Sequence, residues 1–217
     1  VIIHKNETKF KKISLVRVPL RLGKDVFSNG KISSKNIDKL KKTLKAFKIL
    51  MEIHNVYMFK VVATSAMREA GNSKKIIDKI HKDLNLNIEL ISGKKEALLL
   101  ANVFLNSKIK NNNNYLYVDV GGGSTEINLI SCDKIIKSKS FKIGTVRALS
   151  NNINKDSWES FKGWISKLSM EYNNIIVIAS GGNASKIIKL SENRTKDIIT
   201  FNQLEKIKIL MSGMSFE

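Results

Sequence analysis

Proline occurs once in the 217 residues and cysteine once, at Cys132. A lone cysteine cannot close an internal disulfide, which excludes a disulfide-stapled secreted scaffold and makes a reducing cytoplasm the expected compartment. Aromatic residues make up 7% and are not interleaved with the basic runs, so a stacking platform for single-stranded nucleic acid is not expected. No apolar run approaches the roughly 20 residues of a membrane-spanning helix, and no membrane partner is expected either. Acidic residues are half as common as basic ones, 19 against 38, giving a net charge of +19. Several catalytic signatures are also missing. There is no G-x-x-x-x-G-K-[ST] phosphate loop and no G-x-S-x-G elbow, and His4, His54 and His81 lack metal-ligand spacing. Val1 is followed at once by Ile2-Ile3-His4-Lys5, too short and too soon charged for a secretory leader. With no initiator methionine, the chain is expected to begin mid-protein.

What is present suits a soluble α/β protein. The length allows one large or two small domains, and 42% hydrophobic residues supply a core for each. The positive charge has two readings: a solvated, lysine-rich surface set by compositional bias, or attraction for a polyanion, whether nucleic acid (favoured by charge alone), inorganic polyphosphate or a highly phosphorylated nucleotide.

The most informative stretch is Tyr115 to Ile130, YLYVDVGGGSTEINLI. An apolar run ending in Asp119 meets Gly121-Gly122-Gly123, and alternation resumes after Ser124, Thr125 and Glu126. This reads as a β-hairpin with a glycine turn and a carboxylate at each mouth. Glycines let the backbone present N–H groups to an anion. Two carboxylates facing one gap can hold a hard cation bridging to that anion. The alternative is an ordinary glycine-rich hairpin turn with exposed acids.

Elsewhere, strands are expected at Val1–Ile3 and Ile13–Val18 around a polar turn near Asn6-Glu7-Thr8, and a loop from Asp25 to Ser33. A helix capped by Ser33 or Ser34 carries Ile37, Leu40, Leu44, Phe47 and Met51 at helical steps. A strand over Val56–Ala63 leads to Thr64-Ser65-Ala66-Met67-Arg68, where Arg68 either meets a phosphate or forms a surface ion pair with Glu69 or another neighbour. A helix capped by Ser73 and a strand over Asn87–Ile91 close a β-α-β unit. Glu96 falls in the first turn of the next apolar helix, where the dipole alone accounts for a carboxylate. The polar run Asn106–Asn114 is the expected domain boundary, giving domains 1–110 and 111–217. After the hairpin come a strand over Lys134–Phe141, a short helix entered through Ile143–Arg147, and a helix with a capping box at Asp156–Glu159. A buried-type strand, Ile175–Ala179, runs into Ser180-Gly181-Gly182-Asn183 and a helix over Ala184–Leu190. That is a second strand–glycine–helix junction, where a helix N-terminus can meet an anion. The last helix is expected over Asn202–Met211, capped by Asn202.

Four ordered stretches then agree: Val62–Ala70, Ile91–Ala97, Val118–Glu126 and Ala179–Asn183. Together they resemble the exopolyphosphatase and guanosine pentaphosphate phosphohydrolase (Ppx/GppA) family of the actin-like ATPase superfamily. The resemblance implies an α/β fold of two actin-like, ribonuclease H-like domains, mixed sheets flanked by helices, with the active site in the interdomain cleft. It implies a Mg²⁺-dependent hydrolase releasing terminal orthophosphate from inorganic polyphosphate, or alternatively from guanosine pentaphosphate. A non-catalytic phosphate or nucleotide sensor on the same fold is the rival. Carried over, Glu96 is the base for the attacking water, and Asp119 and Glu126 hold Mg²⁺. Phosphate oxygens fall to Arg68, Gly121, Gly122, Gly123, Ser124, Thr125, Gly181, Gly182 and Asn183, and less firmly to Thr145. The family's first strand and phosphate loop have no counterpart before Val1, and its closing segment none after Glu217, so a chain incomplete at both ends is expected. Homodimerisation is left open.

Overall fold

The computed structural model describes residues 1–5, 10–105, 113–191 and 198–213. The chain divides into two compact units, residues 1–92 with 146–152, and 93–145 with 153–217. The boundary expected between 110 and 111 lies outside the described residues, as do the turn near Asn6-Glu7-Thr8 and the last four residues.

In the first unit, β1 (Ile2–Lys5) and β2 (Phe10–Ser14) form an antiparallel pair. The second strand was expected at Ile13–Val18. It ends instead at Ser14, and Leu15, Val16 and Val18 are exposed, with Leu20 N–H closing a turn on the Val18 carbonyl. A helix, α1 (Leu22–Asn29), replaces the loop expected from Asp25. Its physical reason is burial: Val26 and Phe27 are 5% and 4% exposed in the core, and Gly30 ends the helix in the left-handed conformation with its N–H on the Val26 carbonyl. Thus Asn29-Gly30 marks a helix end. α2 (Ser34–Ile53) starts at Ser33, whose hydroxyl accepts from Asn36 N–H, and presents Leu40 and Leu44 inward one turn apart. Asp25 locks that start by accepting from the Ser33 backbone N–H, the Ser33 hydroxyl and the Asn36 side-chain amide.

The β-α-β unit is present but shorter than its sequence signal. β3 is Val61–Ala63, because Tyr57, Met58 and Phe59 before it are exposed and unladdered. A short helix, α3 (Ser65–Glu69), follows directly, then α4 (Ser73–Leu84), then β4 (Ile88–Leu90) parallel to β3. Ser73 is the first residue of α4. Its cap position is taken by Asn72, whose side chain ties to both the N–H and carbonyl of Ile32. Ile76 and Ile80, 3% and 0% exposed, bury one face of α4 in the core cluster that also holds Leu40 and Leu44 of α2 and Val26 and Phe27 of α1. A groove of about 530 Å³ in this unit, lined by residues such as Val16, Phe47, Met58 and Val61, is apolar and contains none of the expected site residues.

The second unit opens with α5 (Gly93–Leu105). β5 (Asn114–Val120), β6 (Thr125–Ser131) and β7 (Lys134–Phe141) form the expected antiparallel meander. Cys132 and Asp133 between β6 and β7 both have positive φ, as the two-residue turns that match strand twist require. α6 (Thr145–Leu149) follows; from Val146 onward it belongs to the first unit, where Arg147 forms two hydrogen bonds to Glu69. α7 (Lys155–Glu171) is capped by Asn154, not by a box at Asp156–Glu159: the Asn154 side chain reaches the Asp156 N–H. β8 (Ile175–Ser180) pairs parallel with β5, so the sheet runs β7-β6-β5-β8. α8 (Gly181–Leu190) begins on the glycines themselves, three residues earlier than expected. α9 (Phe201–Ser212) carries a capping box, but it is Thr200 with Gln203 and not Asn202.

Alternation gives this sheet two faces. Leu116, Val118, Ile127 and Leu129 point to the side covered by α7 through Phe161, Trp164 and Leu168. Tyr115, Tyr117 and Asp119 point the other way beside Ile130, Asn128 and Glu126, toward α5. Asn55, Asn85, Asn151 and Asn174 take left-handed positions, where asparagine is among the few tolerated residues. Among the described residues, no helix is long and apolar enough to cross a membrane.

Candidate active site

The second unit gathers most of the expected site residues at one end of its sheet. β5 and β8 are parallel, with Asp119 beside Ser180, so the two glycine junctions leave neighbouring strands at the same edge. The first turn is closed by Gly121 N–H on the Ser124 carbonyl at 2.9 Å, which commits the Gly121 amide within the turn. Gly122 is exposed, whereas Gly123 and Ser124 are buried. A second segment braces the turn from outside. Thr125 donates its hydroxyl to the Ile143 carbonyl at 2.6 Å, and Thr145 N–H donates to the Gly121 carbonyl at 3.0 Å. Between them, Gly144 lies so close that a Cβ there would meet the Gly122 carbonyl at 2.5 Å and the Gly123 carbonyl carbon at 2.6 Å.

Asp119 and Glu126 are direct cross-strand partners, so their side chains share a face with Cβ atoms roughly 5 Å apart. Glu126 is 1% exposed and accepts from the Ser140 hydroxyl at 2.9 Å. Asp119 accepts from the Ser180 hydroxyl, which in turn accepts from the Tyr117 hydroxyl at 2.9 Å. Gly181, at φ 93°, passes beside that carboxylate; a Cβ would sit 3.0 Å from Asp119 Oδ1. The Asn183 amide stitches the second junction to the first strand by donating to the Val120 carbonyl at 3.1 Å.

The profile of the Ppx/GppA phosphatase family matches residues 1–199. The chain belongs to that family. Among curated relatives, a bifunctional 3-dehydroquinate synthase/phosphatase of Fusobacterium nucleatum is 32% identical over 131 residues, covering 59% of this chain and 20% of that protein. Exopolyphosphatase 1 of Mycobacterium tuberculosis is 28% identical over 115 residues, covering 53% and 33%. The chain therefore spans a third or less of the length of these relatives. Among solved structures, an exopolyphosphatase from Cytophaga hutchinsonii superposes with a TM-score of 0.78 at 20% identity, covering 96% of this chain and 74% of that one. The Aquifex aeolicus Ppx/GppA family member gives 0.75 at 22% identity, covering 98% and 74%. These matches show the fold: a mixed α/β class with sheets flanked by helices, as the sequence implied.

Within that family frame, the remaining residues fall as follows. Glu96 is half-buried in the first turn of α5, and the next residue, Ala97, accepts the Asn128 amide on its carbonyl at 3.0 Å. The start of α5 is thereby fixed over the face that carries Asp119 and Glu126. Arg68 belongs to the first unit, where its guanidinium donates to the Ile91 carbonyl at 2.6 Å, while Glu69 pairs with Arg147. Sequence reasoning missed Tyr117, Ser180, Asn128 and Gly144 as parts of the site. Ser180 and Gly144 stood beside recognised motifs, but nothing local signals their contacts.

The carboxylate pair fits a hard cation. Like charges placed directly opposite on a sheet repel, and a buried carboxylate is costly to ionise, so a dication between them offsets both. Among the described residues no three or more His, Cys, Asp or Glu side chains gather as an all-protein cage. Mg²⁺ does not need one, since it commonly uses one or two carboxylates and completes its shell with water and phosphate oxygens.

Proposed function

We propose that the full-length protein is a Mg²⁺-dependent phosphohydrolase that releases terminal orthophosphate from inorganic polyphosphate. The observation that carries this reading is the pairing of Asp119 with Glu126 beside two glycine junctions on one sheet edge. Family membership and the relatives named exopolyphosphatase support it, and the net charge of +19 suits a polyanionic chain.

Phosphoryl transfer asks little covalent chemistry of a protein; it needs positioning and charge neutralisation. Mg²⁺ held by Asp119 and Glu126 would supply the neutralisation. Backbone N–H groups of the Gly122–Ser124 turn and of the Gly181–Asn183 helix start would orient the phosphate oxygens, aided by the Ser124 hydroxyl. Glu96 would take the proton from the attacking water and hold that water in line. Arg68 would bind phosphate oxygens as a charged donor. Thr145 acts indirectly, through its bond to Gly121.

The test is Glu96→Gln in the full-length protein, with phosphate release measured on polyphosphate and on guanosine pentaphosphate. The base reading expects fold and substrate binding retained and hydrolysis slowed by about 10²–10⁴-fold. A near-parental rate leaves Glu96 as a first-turn carboxylate only. Hydrolysis of guanosine pentaphosphate alone moves the substrate assignment, and binding without turnover by the parental protein makes it a sensor.

A further inference from the structure

Asn128 has no part in the reading above, yet it is the polar residue most deeply set in the second unit, at 0% exposure in the middle of β6. It stands on the α5-facing side of the sheet, between Tyr117 on β5 and Ser138 on β7. Two residues along β6 on the same face is Glu126. Its Nδ2 donates to the Ala97 carbonyl, next in sequence to Glu96. That carbonyl lies inside a helix and has a second lone pair to offer, so the bond anchors α5 to the sheet without breaking its ladder. Ala97 and Ala101, both 0% exposed and one turn apart, let the helix approach closely enough for the short amide to reach.

An apolar residue would satisfy a strand at this position more simply. A buried amide is kept only where its bond is worth the desolvation, and here the Asn128 Oδ1 and the Ser138 hydroxyl opposite it make no hydrogen bond. The amide's single bond goes to the turn carrying Glu96. We propose that Asn128 is a positioning residue: by pinning the first turn of α5 to the strand that carries Glu126, it sets Glu96 relative to the carboxylate pair. This rests on Glu96 acting as the base.

The test is a double-mutant cycle in the full-length protein, with Asn128→Leu, Glu96→Gln and the pair assayed for phosphate release from polyphosphate at saturating Mg²⁺. Asn128→Leu alone is expected to lower kcat by about 10–10²-fold, the scale of a catalytic group misplaced by about 1 Å, with KM little changed. In the Glu96→Gln background the same substitution is expected to change kcat by less than about twofold, because two residues acting through one group are not additive. Amide exchange of the first hydrogen-bonded amides of α5, residues 97–101, should also quicken in Asn128→Leu. Equal losses in both backgrounds overturn the proposal in favour of a purely structural asparagine, as does a parental kcat in Asn128→Leu. A silent Glu96→Gln removes the base assignment, and this proposal with it, so the two failures are distinct. If Asn128→Leu melts below the assay temperature, Asn128→Thr, too short to reach Ala97 but suited to a strand, takes its place. Unfolding of both makes the residue structural and ends the proposal.

Discussion

Replacing Gly144 with alanine adds one methyl group at a point where the backbone itself tolerates a side chain. Its φ is not in the left-handed region, so any penalty must come from space. The added Cβ would stand 2.5 Å from the Gly122 carbonyl carbon and oxygen and 2.6 Å from the Gly123 carbonyl carbon, where ordinary contact begins at 3.4 Å. The neighbours are main chain, so no rotamer can relieve the clash; the segment and the glycine turn must separate by about 0.9 Å. That movement pulls on the bond from Thr145 N–H to the Gly121 carbonyl and on the one from Thr125 to Ile143. Overpacking of this kind costs about 1–3 kcal/mol, and, with the turn holding phosphate as proposed, a displacement near 1 Å is expected to cost about 10²-fold in rate. The assay pairs chemical denaturation with phosphate release in the full-length protein. Gly163→Ala is the matched control: it lies exposed in α7 with nothing within 4 Å of its added Cβ. It should gain about 0.5–1 kcal/mol from helix propensity and keep full activity. Parental stability and rate in Gly144→Ala would refute the claim that this segment braces the turn.

The Ser180–Asp119 bond should appear in metal binding: by calorimetry, Ser180→Ala is expected to weaken Mg²⁺ affinity by about 10–100-fold, the usual cost of losing a ligand's outer partner, with Tyr117→Phe a smaller change in the same direction. Asp25 is held below the ordinary carboxylate pKa, chiefly by the Ser33 hydroxyl and then the Ser33 amide. Its contribution is therefore fully present above the unfolded value near pH 4 and lost as pH falls through the lower folded value. Asp25→Ala should cost about 1–2 kcal/mol at pH 7, and its deficit against the parent should shrink under acid unfolding below pH 4. Glu69→Gln deprives Arg147, 9% exposed in its side chain, of a charged partner and should cost about 1.5–3 kcal/mol in denaturant unfolding.

Local signals carried the elements that depend on local chemistry. The hairpin about Gly121–Gly123, β7, the Ser33 cap and the β-α-β unit follow from period, turn residues and caps, and the carboxylate pair follows from hairpin register alone. The errors have one character. Asn29-Gly30 looks the same as a loop turn and as a helix end, and only the burial of Val26 and Phe27 decides between them. Asp156–Glu159 and Asn202 resemble caps, but the side chains that close on backbone N–H groups are Asn154 and Thr200. The bracing contacts of the site were illegible because they join residues far apart in sequence: Ser180 to Asp119, Asn128 to Ala97, Gly144 to Gly122. No spacing rule encodes them.

Among the described residues the four-stranded sheet ends in two unlike border strands, and this bears on handling the protein. β7 carries Lys134, Lys137 and Lys139, the charged rim that discourages a stray strand from pairing there. β8 reads IIVIAS with no charge at all, and Ile176 and Val177 are 44% and 63% exposed. A short, uncharged, β-branched border is a template for intermolecular pairing. Concentrated preparations of these 217 residues should therefore cluster through β8, despite a net charge that keeps the molecules apart at long range. Adding salt should worsen this, since it screens the repulsion and leaves the adhesive strand untouched. A lysine placed at Val177 would act as the gatekeeper that β7 already has.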